Sequence, residues 1–237
     1  MTIKAGRCSV STPRNWIFTV NSVLADLLTN PAAIDTLRTG LPHAFEMAAV
    51  EASRVILNKR TGLAQSTTGQ EVGVLRERVI LGFLFSQLGE ANVQLPAPGA
   101  SMVDATVAGH PLEIKTVTER GLVTAKWTSD NESVDQVLEE FVFISDMLLV
   151  RIWWDSFQDS VFYIPFEVLN ETAASFPDFL QSQRGTNNRG VKIRDAFMRK
   201  IEGHESTVRV PVFWQRSEEA IQSPIVRYIN YWTELRF

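Results

Sequence analysis

The stretch SMVDATVAGHPLEIKTVT, residues 101–118, contains two short segments in which polar and apolar side chains alternate. Alternation on both sides of a turn is typical of a β-hairpin. The alanine, glycine, histidine and proline at residues 108–111 predict the turn. We therefore expect two antiparallel strands in which Val107 lies opposite Leu112.

Three charged side chains of this hairpin are predicted to lie on one face. Side chains alternate between the two faces of a strand, so the expected pairing puts Thr106 opposite Glu113. The same pairing puts Asp104 opposite Lys115. The other face is apolar and consists of Val103, Ala105, Val107, Leu112 and Ile114. Because neighbouring side chains across strands are about 5 Å apart, the charged groups lie within reach of one small ion.

Two interpretations of this polar face are open. Half-exposed hairpins commonly have one polar face, and a surface Asp–Lys pair contributes little stability. Two facing carboxylates, however, repel each other unless a cation or a proton lies between them. Mg²⁺ prefers oxygen ligands, so we expect Asp104, Glu113 and the backbone carbonyl of Ile114 to bind it. Lys115 would then lie beside a water bound to this ion, which it would position or activate.

The order of these residues resembles a known nuclease signature. Asp104, eight further residues and then Glu113-Ile114-Lys115 resemble the PD-(D/E)xK motif of the restriction-endonuclease-like nuclease superfamily. Val103 stands where many members have proline, but that position supplies no ligand. The resemblance implies an α/β (mixed α+β) fold with a central mixed β-sheet flanked by helices. It also implies a type II restriction endonuclease that hydrolyses phosphodiester bonds of double-stranded DNA with Mg²⁺.

Glu77 is a further candidate, on the helix predicted before the hairpin. It shares the predicted buried stripe of that helix with three leucines, Leu81, Leu84 and Leu88. A carboxylate beside a buried stripe needs a partner, and Glu77 precedes Asp104 by 27 residues. That spacing resembles type II restriction enzymes, which implies a catalytic role. The alternative is a helix-end glutamate paired with Arg78 or Lys59.

The pattern along the chain predicts a single nuclease domain, 1–237, with three parts. Residues 1–68 are expected to form a helical N-terminal region. Residues 69–165 are expected to form the catalytic core. Residues 166–237 would then form a C-terminal region that contacts and reads DNA.

Helix and strand boundaries are predicted from proline, glycine and capping residues. Pro13 opens a first helix that runs to Leu28, and Gly40 and Pro42 divide the next helical stretch into two. Gly89 ends the helix that carries Glu77. Further along, the predicted elements are a strand over 160–169, a helical turn over 176–183 and a basic amphipathic helix over 191–201.

Composition limits the classes of protein to which the chain can belong. Hydrophobic residues make up 45% of the 237 residues and charged residues 21%, which favours a folded globular domain. The apolar runs are shorter than the ~18 residues of a membrane span, and the N-terminus lacks a signal-peptide core. Cys8 is the only cysteine. This excludes an internal disulfide and a cysteine zinc site, and it favours the cytoplasm.

Charge is distributed unevenly along the chain. The net charge of −4 argues against a general nucleic-acid coating protein. Over residues 121–180 acidic residues outnumber basic ones by 11 to 2, whereas over residues 181–216 basic residues outnumber acidic ones by 8 to 3. The positive segment is either a docking surface for phosphate or a solvated helix face.

Two polar stretches are candidate DNA-contacting segments. Arginine reads guanine, asparagine and glutamine read adenine, and short hydroxyls serve either. The candidates are Lys126, Thr128, Ser129 and Asn131 in the first stretch and Arg184, Thr186, Asn187, Asn188 and Arg189 in the second. Arg194 is expected to contact a DNA phosphate, which positions the duplex without reading it. Both stretches could instead be ordinary turns, since these residue types favour turns.

A homodimer is expected, because symmetric duplex sites and symmetric dimers go together. The N-terminal helices are the expected interface. Three alternatives stay open: a DNA-repair or junction nuclease with the same core, a non-catalytic DNA-binding protein, and a protein-docking surface with an incidental hairpin. The last of these predicts no DNA affinity and no steep salt dependence.

Overall fold

The strands of the described chain form two separate sheets. The computed structural model describes residues 21–61, 69–96, 103–119, 121–126, 131–182 and 190–216. Its strands are β1 (Val93–Gln94), β2 (Ala105–Val107), β3 (His110–Thr118), β4 (Thr124–Lys126), β5 (Asp146–Ile152), β6 (Ser156–Ile164), β7 (Leu180–Ser182), β8 (Val191–Ile193) and β9 (Val208–Trp214). The larger sheet has the order β1-β2-β3-β5-β6-β9 and the smaller one β4-β8-β7. In the larger sheet β3 and β5 are parallel and the other pairs antiparallel, so that sheet is mixed.

Helices cover both faces of the larger sheet. In the described ranges they are α1 (Ser22–Thr29), α2 (Pro31–Thr61), α3 (Gly69–Leu88), α4 (Asn131–Glu140), α5 (Phe166–Ser175) and α6 (Asp195–Glu202). The first three helices pack on one face around a first core. The other three and the smaller sheet enclose a second core on the opposite face. None of the helices in these ranges is long and apolar enough to cross a bilayer.

Strand β5 lies at the centre of these layers. All seven of its residues are buried. Leu148 and Val150 contribute to the first core, and Met147 and Leu149 contribute to the second. A strand that is covered on both faces is expected to be mostly apolar, and the two charged residues of β5, Asp146 and Arg151, are hydrogen-bonded. The predicted central mixed sheet flanked by helices is therefore confirmed.

The hairpin is present, but its turn is tighter than predicted. Ala108 and Gly109 form the turn with φ of 50° and 85°, so that Val107 pairs with His110 and Thr106 with Pro111. Positive φ at both central residues is typical of the two-residue turns that connect antiparallel strands. The expected pairing of Val107 with Leu112 is thus wrong by two residues. Because the error is an even number, every side chain stays on its predicted face.

Two helix boundaries in the N-terminal region also differ from prediction. Helix α2 runs unbroken through Gly40 and Pro42. Its buried apolar residues include a stripe that continues past both positions, Ala33, Leu37, Leu41, Phe45, Ala48 and Ala52, so tertiary packing overrides the two helix-breaking residues. Helix α1 begins after Asn21, whose side chain accepts the Leu24 N–H at 3.2 Å. The predicted start at Pro13 lies outside the described residues.

Three elements of the C-terminal half are corrected as well. The strand predicted over 160–169 ends at Ile164, and Pro165 then caps α5. The predicted helical turn over 176–183 contains strand β7, and the predicted basic helix over 191–201 begins as strand β8. The predicted end of α3 at Gly89 is confirmed, with a φ of 76°. Strands of three residues, such as β7 and β8, are too short for the period of a strand to be distinguished from the period of a helix.

Candidate active site

Asp104 is fixed to the strand that carries Glu113. Its backbone N–H donates to the Leu112 carbonyl at 2.9 Å. Its carboxylate Oδ2 accepts the backbone N–H of Ile114 at 2.6 Å. Strand β2 pairs with β3 only as far as Leu112, so the aspartate side chain satisfies a backbone donor just beyond the paired segment. Asp104 is therefore bonded through its backbone and its side chain to Leu112 and Ile114, the residues on either side of Glu113.

Glu113 and Lys115 form a close ion pair on one face of β3. The Lys115 Nζ lies 2.6 Å from Glu113 Oε1, and the two side chains are 23% and 12% exposed. Burial raises the pKa of Glu113, the Lys115 ammonium opposes that rise, and the Asp104 charge adds to it. Alternation places the pair on the face opposite the buried Leu112 and Ile114. Glu113 therefore depends on a neighbouring positive charge to stay ionised.

Glu77 belongs to the same electrostatic cluster and extends from α3. Burial raises the pKa of Glu77 to about 7, Asp104 and Glu113 add to the rise, and Lys115 opposes it. Carboxylates with perturbed pKa values around a lysine are typical of functional sites. The predicted leucine stripe is present too, since α3 packs against the first core through Leu81, Leu84 and Leu88.

Arg76 anchors α3 beside the hairpin of β2 and β3. Its guanidinium carbon lies 5.7 Å from the centroid of the Phe45 ring, and its Nη1 donates to Thr118 Oγ1 at 3.3 Å. Burial lowers the pKa of Arg76. These contacts join α2, α3 and β3, and so they hold the adjacent Glu77 near the cluster.

The donor set fits a hard divalent cation. Asp104 and Glu113 supply carboxylate oxygens, and the Ile114 backbone carbonyl is a further oxygen between Glu113 and Lys115. Within the described ranges, no three His, Cys, Asp or Glu side chains come together as a metal-binding group. Mg²⁺ is often held by only one or two carboxylates, with water and substrate phosphate completing its shell. Two carboxylates therefore match this ion.

The predicted DNA-contacting residues are placed only in part. Thr128, Ser129, Arg184, Thr186, Asn187, Asn188 and Arg189 lie outside the described residues. Lys126 ends β4 and Asn131 begins α4. Arg194 is exposed, stands directly before α6, and donates from Nε to the Leu180 carbonyl at 3.2 Å. A DNA contact by any of these residues stays a prediction.

Sequence patterns do not single out Lys192, although the structure places it in electrostatic range of the cluster. Burial lowers the pKa of Lys192, and the charge of Lys115 lowers it further. Its Nζ contacts the Thr124 hydroxyl across the smaller sheet. The sequence feature that could indicate its position is the alternation of Val191, Lys192 and Ile193, in which two buried apolar residues flank the lysine. Because a helix is predicted over residues 191–201, this alternation is not recognised as a strand.

Comparisons with known proteins agree with this geometry. The profile of the family "Restriction endonuclease ThaI" matches residues 27–234. The chain is also similar to a solved structure described as "Restriction endonuclease in complex with substrate DNA", with a TM-score of 0.73 and 29% identity over 90% of this chain and 99% of that chain. No curated protein matches the chain significantly. The restriction-endonuclease fold expected from the hairpin is confirmed, and the chain belongs to the ThaI family of restriction endonucleases, which are site-specific deoxyribonucleases.

Proposed function

We propose that this chain is a Mg²⁺-dependent type II restriction endonuclease that hydrolyses phosphodiester bonds of double-stranded DNA at a specific sequence. The observation that carries the proposal is the convergence of two carboxylates and one ammonium at the end of the hairpin. Asp104 accepts from the backbone beside Glu113, and Glu113 pairs with Lys115. The solved relative, a restriction endonuclease in complex with substrate DNA, supports DNA as the partner.

Asp104, Glu113 and the backbone carbonyl of Ile114 are the proposed ligands for Mg²⁺. When bound, Mg²⁺ would polarise the phosphodiester and lower the pKa of an attacking water. Both carboxylates are already close to the peptide units of β3, so little chain reorganisation is needed to present their oxygens. Such preorganisation is an important part of electrostatic catalysis.

Lys115 and Glu77 are the proposed supporting groups. Lys115 carries N–H donors next to Glu113 Oε1, where they can orient water and offset the negative charge that develops on the phosphate. Glu77, with its pKa raised to about 7, adds a third carboxylate whose ionised form a nearby cation favours. This assigns the catalytic roles to Asp104, Glu113, Lys115 and Glu77.

The remaining assignments concern how DNA is held and read. We assign phosphate and base contacts to the C-terminal region, 166–237, and to the segment around β4 and the start of α4. Residues 69–165 would supply the catalytic core and residues 1–68 the interface of a homodimer. Such a dimer fits a symmetric duplex site. We place the enzyme in the cytoplasm, where its substrate DNA is accessible.

Digestion of unmethylated plasmid DNA with Mg²⁺ tests this function. The wild type should produce discrete fragments whose ends give the recognition sequence, and EDTA should abolish them. Glu113→Ala and Lys115→Ala should also leave the plasmid intact. Glu205→Ala is the matched control, because it removes an exposed carboxylate in the loop between α6 and β9. Intact DNA with Mg²⁺ and with Mn²⁺ on several substrates would contradict the proposal, and fragments without a common end sequence would favour a repair or junction nuclease.

A further inference from the structure

Lys192 lies on the face of the smaller sheet that is turned away from the second core. Val191 and Ile193 are fully buried in that core, so alternation places the lysine between them on the other face. Lys192 is half-buried. It pairs with Thr124 of the neighbouring strand, and its Nζ contacts the Thr124 Oγ1. The threonine therefore restricts where the ammonium can be.

The smaller sheet is tied to the catalytic strand by a short connection. The Gly121 N–H donates to the Thr118 carbonyl at 2.9 Å, and the Ile193 N–H donates to the Val123 carbonyl at 2.8 Å. Val117 also packs against the second core, which contains Val123. By alternation Val117 shares the face of β3 that carries Glu113 and Lys115. The sheet that holds Lys192 is thus fixed on the same side of β3 as the catalytic groups.

Lys115 and Lys192, from different sheets, lie within electrostatic range of each other. The charge of Lys115 lowers the pKa of Lys192, after the larger effect of burial. Two cations within electrostatic range of each other are stabilised by an anion between them. Lysine is a compact point charge with three donors, which suits the binding of a phosphate.

We propose that Lys192, positioned by Thr124, binds a phosphate of the DNA strand on which Lys115 and the two carboxylates act. The inference rests on the proposed function, because DNA is taken as the ligand. Lys192 would hold the sugar-phosphate backbone of the DNA strand that contains the reacting phosphate. It would therefore contribute affinity without reading sequence.

Salt dependence of DNA binding tests this contact independently of cleavage. Binding of a duplex of several hundred base pairs is measured in EDTA, where no cleavage occurs, at several salt concentrations. Each neutralised phosphate contributes about 0.9 to the slope of log affinity against log salt. Lys192→Gln should lower that slope by about 0.9 and weaken binding several-fold at ~0.1 M salt. Lys192→Arg should restore both quantities, because the charge is kept.

The matched control is Arg38→Gln, which also removes one positive charge. The Arg38 Nε donates to the Pro211 carbonyl on β9 at 2.9 Å, at the edge of the larger sheet furthest from β1. Its salt slope should equal that of the wild type, compared at a protein concentration at which both proteins have the same oligomeric state. Thr124→Val should weaken binding less than Lys192→Gln, since the charge is present but less well positioned.

An unchanged slope and affinity for Lys192→Gln would overturn the inference, whatever happens to cleavage. A loss of thermal stability without a change in slope would overturn it too, because it would show a purely structural lysine. If the wild type binds DNA but never cuts it with Mg²⁺, the proposed function fails, while the Lys192 contact still stands or falls on the slope alone.

Discussion

The Asp104 carboxylate accepts the backbone N–H of Ile114 at 2.6 Å, one residue beyond Glu113. The Asp104 side chain thereby accepts a hydrogen bond from the backbone of β3. The preceding residue of that strand, Glu113, supplies the second carboxylate. Asp104 is consequently held at the end of the hairpin and cannot move away from the backbone of β3 without loss of that hydrogen bond.

Asp104 can be tested with two substitutions that separate charge from hydrogen bonding. Asp104→Asn keeps an acceptor for Ile114, so the free energy of unfolding should change by less than about 1 kcal/mol. The rate of plasmid cleavage should nevertheless fall at least ~100-fold, because a charged ligand is lost. Asp104→Ala should add about 1–3 kcal/mol of destabilisation, since the Ile114 N–H is left without its partner. Urea unfolding and a cleavage assay give both quantities, and equal stability of the two variants would contradict the role of the hydrogen bond.

Glu77 should make the stability of the metal-free protein depend on pH. The pKa of Glu77 is raised from 4.5 to about 7 in the folded chain. Between those pH values the folded state retains a proton that the unfolded state has lost, so a rise in pH favours unfolding. In EDTA, stability attributable to this residue should decline from about pH 4.5 to about pH 7 and then level off.

Glu77→Gln is the comparison that isolates this contribution. The glutamine cannot ionise, so the variant should gain stability relative to the wild type as the pH rises through this window. The measurement is the difference in unfolding free energy between the two proteins at about pH 5 and about pH 8. Two parallel pH profiles would show that the pKa of Glu77 is not raised in the folded chain.

Arg151 should be important for stability, because it connects β5 to α6 and to Glu119, the residue that follows β3. Its Nε and Nη2 each lie 2.7 Å from Glu202 Oε1, and its Nη1 donates to the Glu119 carbonyl at 3.2 Å. Arg151→Met would leave the Glu202 carboxylate buried without its partner, at a cost of about 3–5 kcal/mol. Chemical denaturation measures this cost.

The double variant Arg151→Met with Glu202→Leu is the control for that pair. Replacing both charges with apolar side chains should recover most of the lost stability, because no unpaired charge is left. A double-mutant cycle gives the coupling energy directly. Additive effects of the two substitutions would indicate that the ion pair contributes nothing of its own.

The hairpin could be predicted because its faces depend only on the alternation of side chains. The turn was expected at residues 108–111, yet Ala108 and Gly109 alone form it. The error moved the pairing by two residues and left Asp104, Glu113 and Lys115 on one face. Glu77 could be predicted from its place beside the leucine stripe of α3. Local periodicity thus predicted which side chains of the hairpin share a face, even though the register was wrong.

Features that depend on tertiary structure could not be predicted in the same way. Gly40 and Pro42 are strong local signals for a helix end, yet the stripe that α2 packs against the first core keeps the helix continuous. Lys192 lies in a three-residue strand, which is too short for its period to be distinguished from the following helix. Its nearness to Lys115 arises from the packing of two sheets and has no counterpart in the sequence spacing.

The most direct test of the central claim is the single-turnover cleavage rate of Glu113→Gln with Mg²⁺, measured beside DNA binding in EDTA. Glutamine keeps the shape of the side chain and an oxygen for Lys115, and it removes only the charge. The cleavage rate should fall by at least ~1,000-fold, while DNA affinity in EDTA stays within a few-fold of the wild type. A variant that cuts DNA within ~10-fold of the wild-type rate, a loss of no more than ~1.4 kcal/mol, would contradict the assignment of Glu113 to the active site.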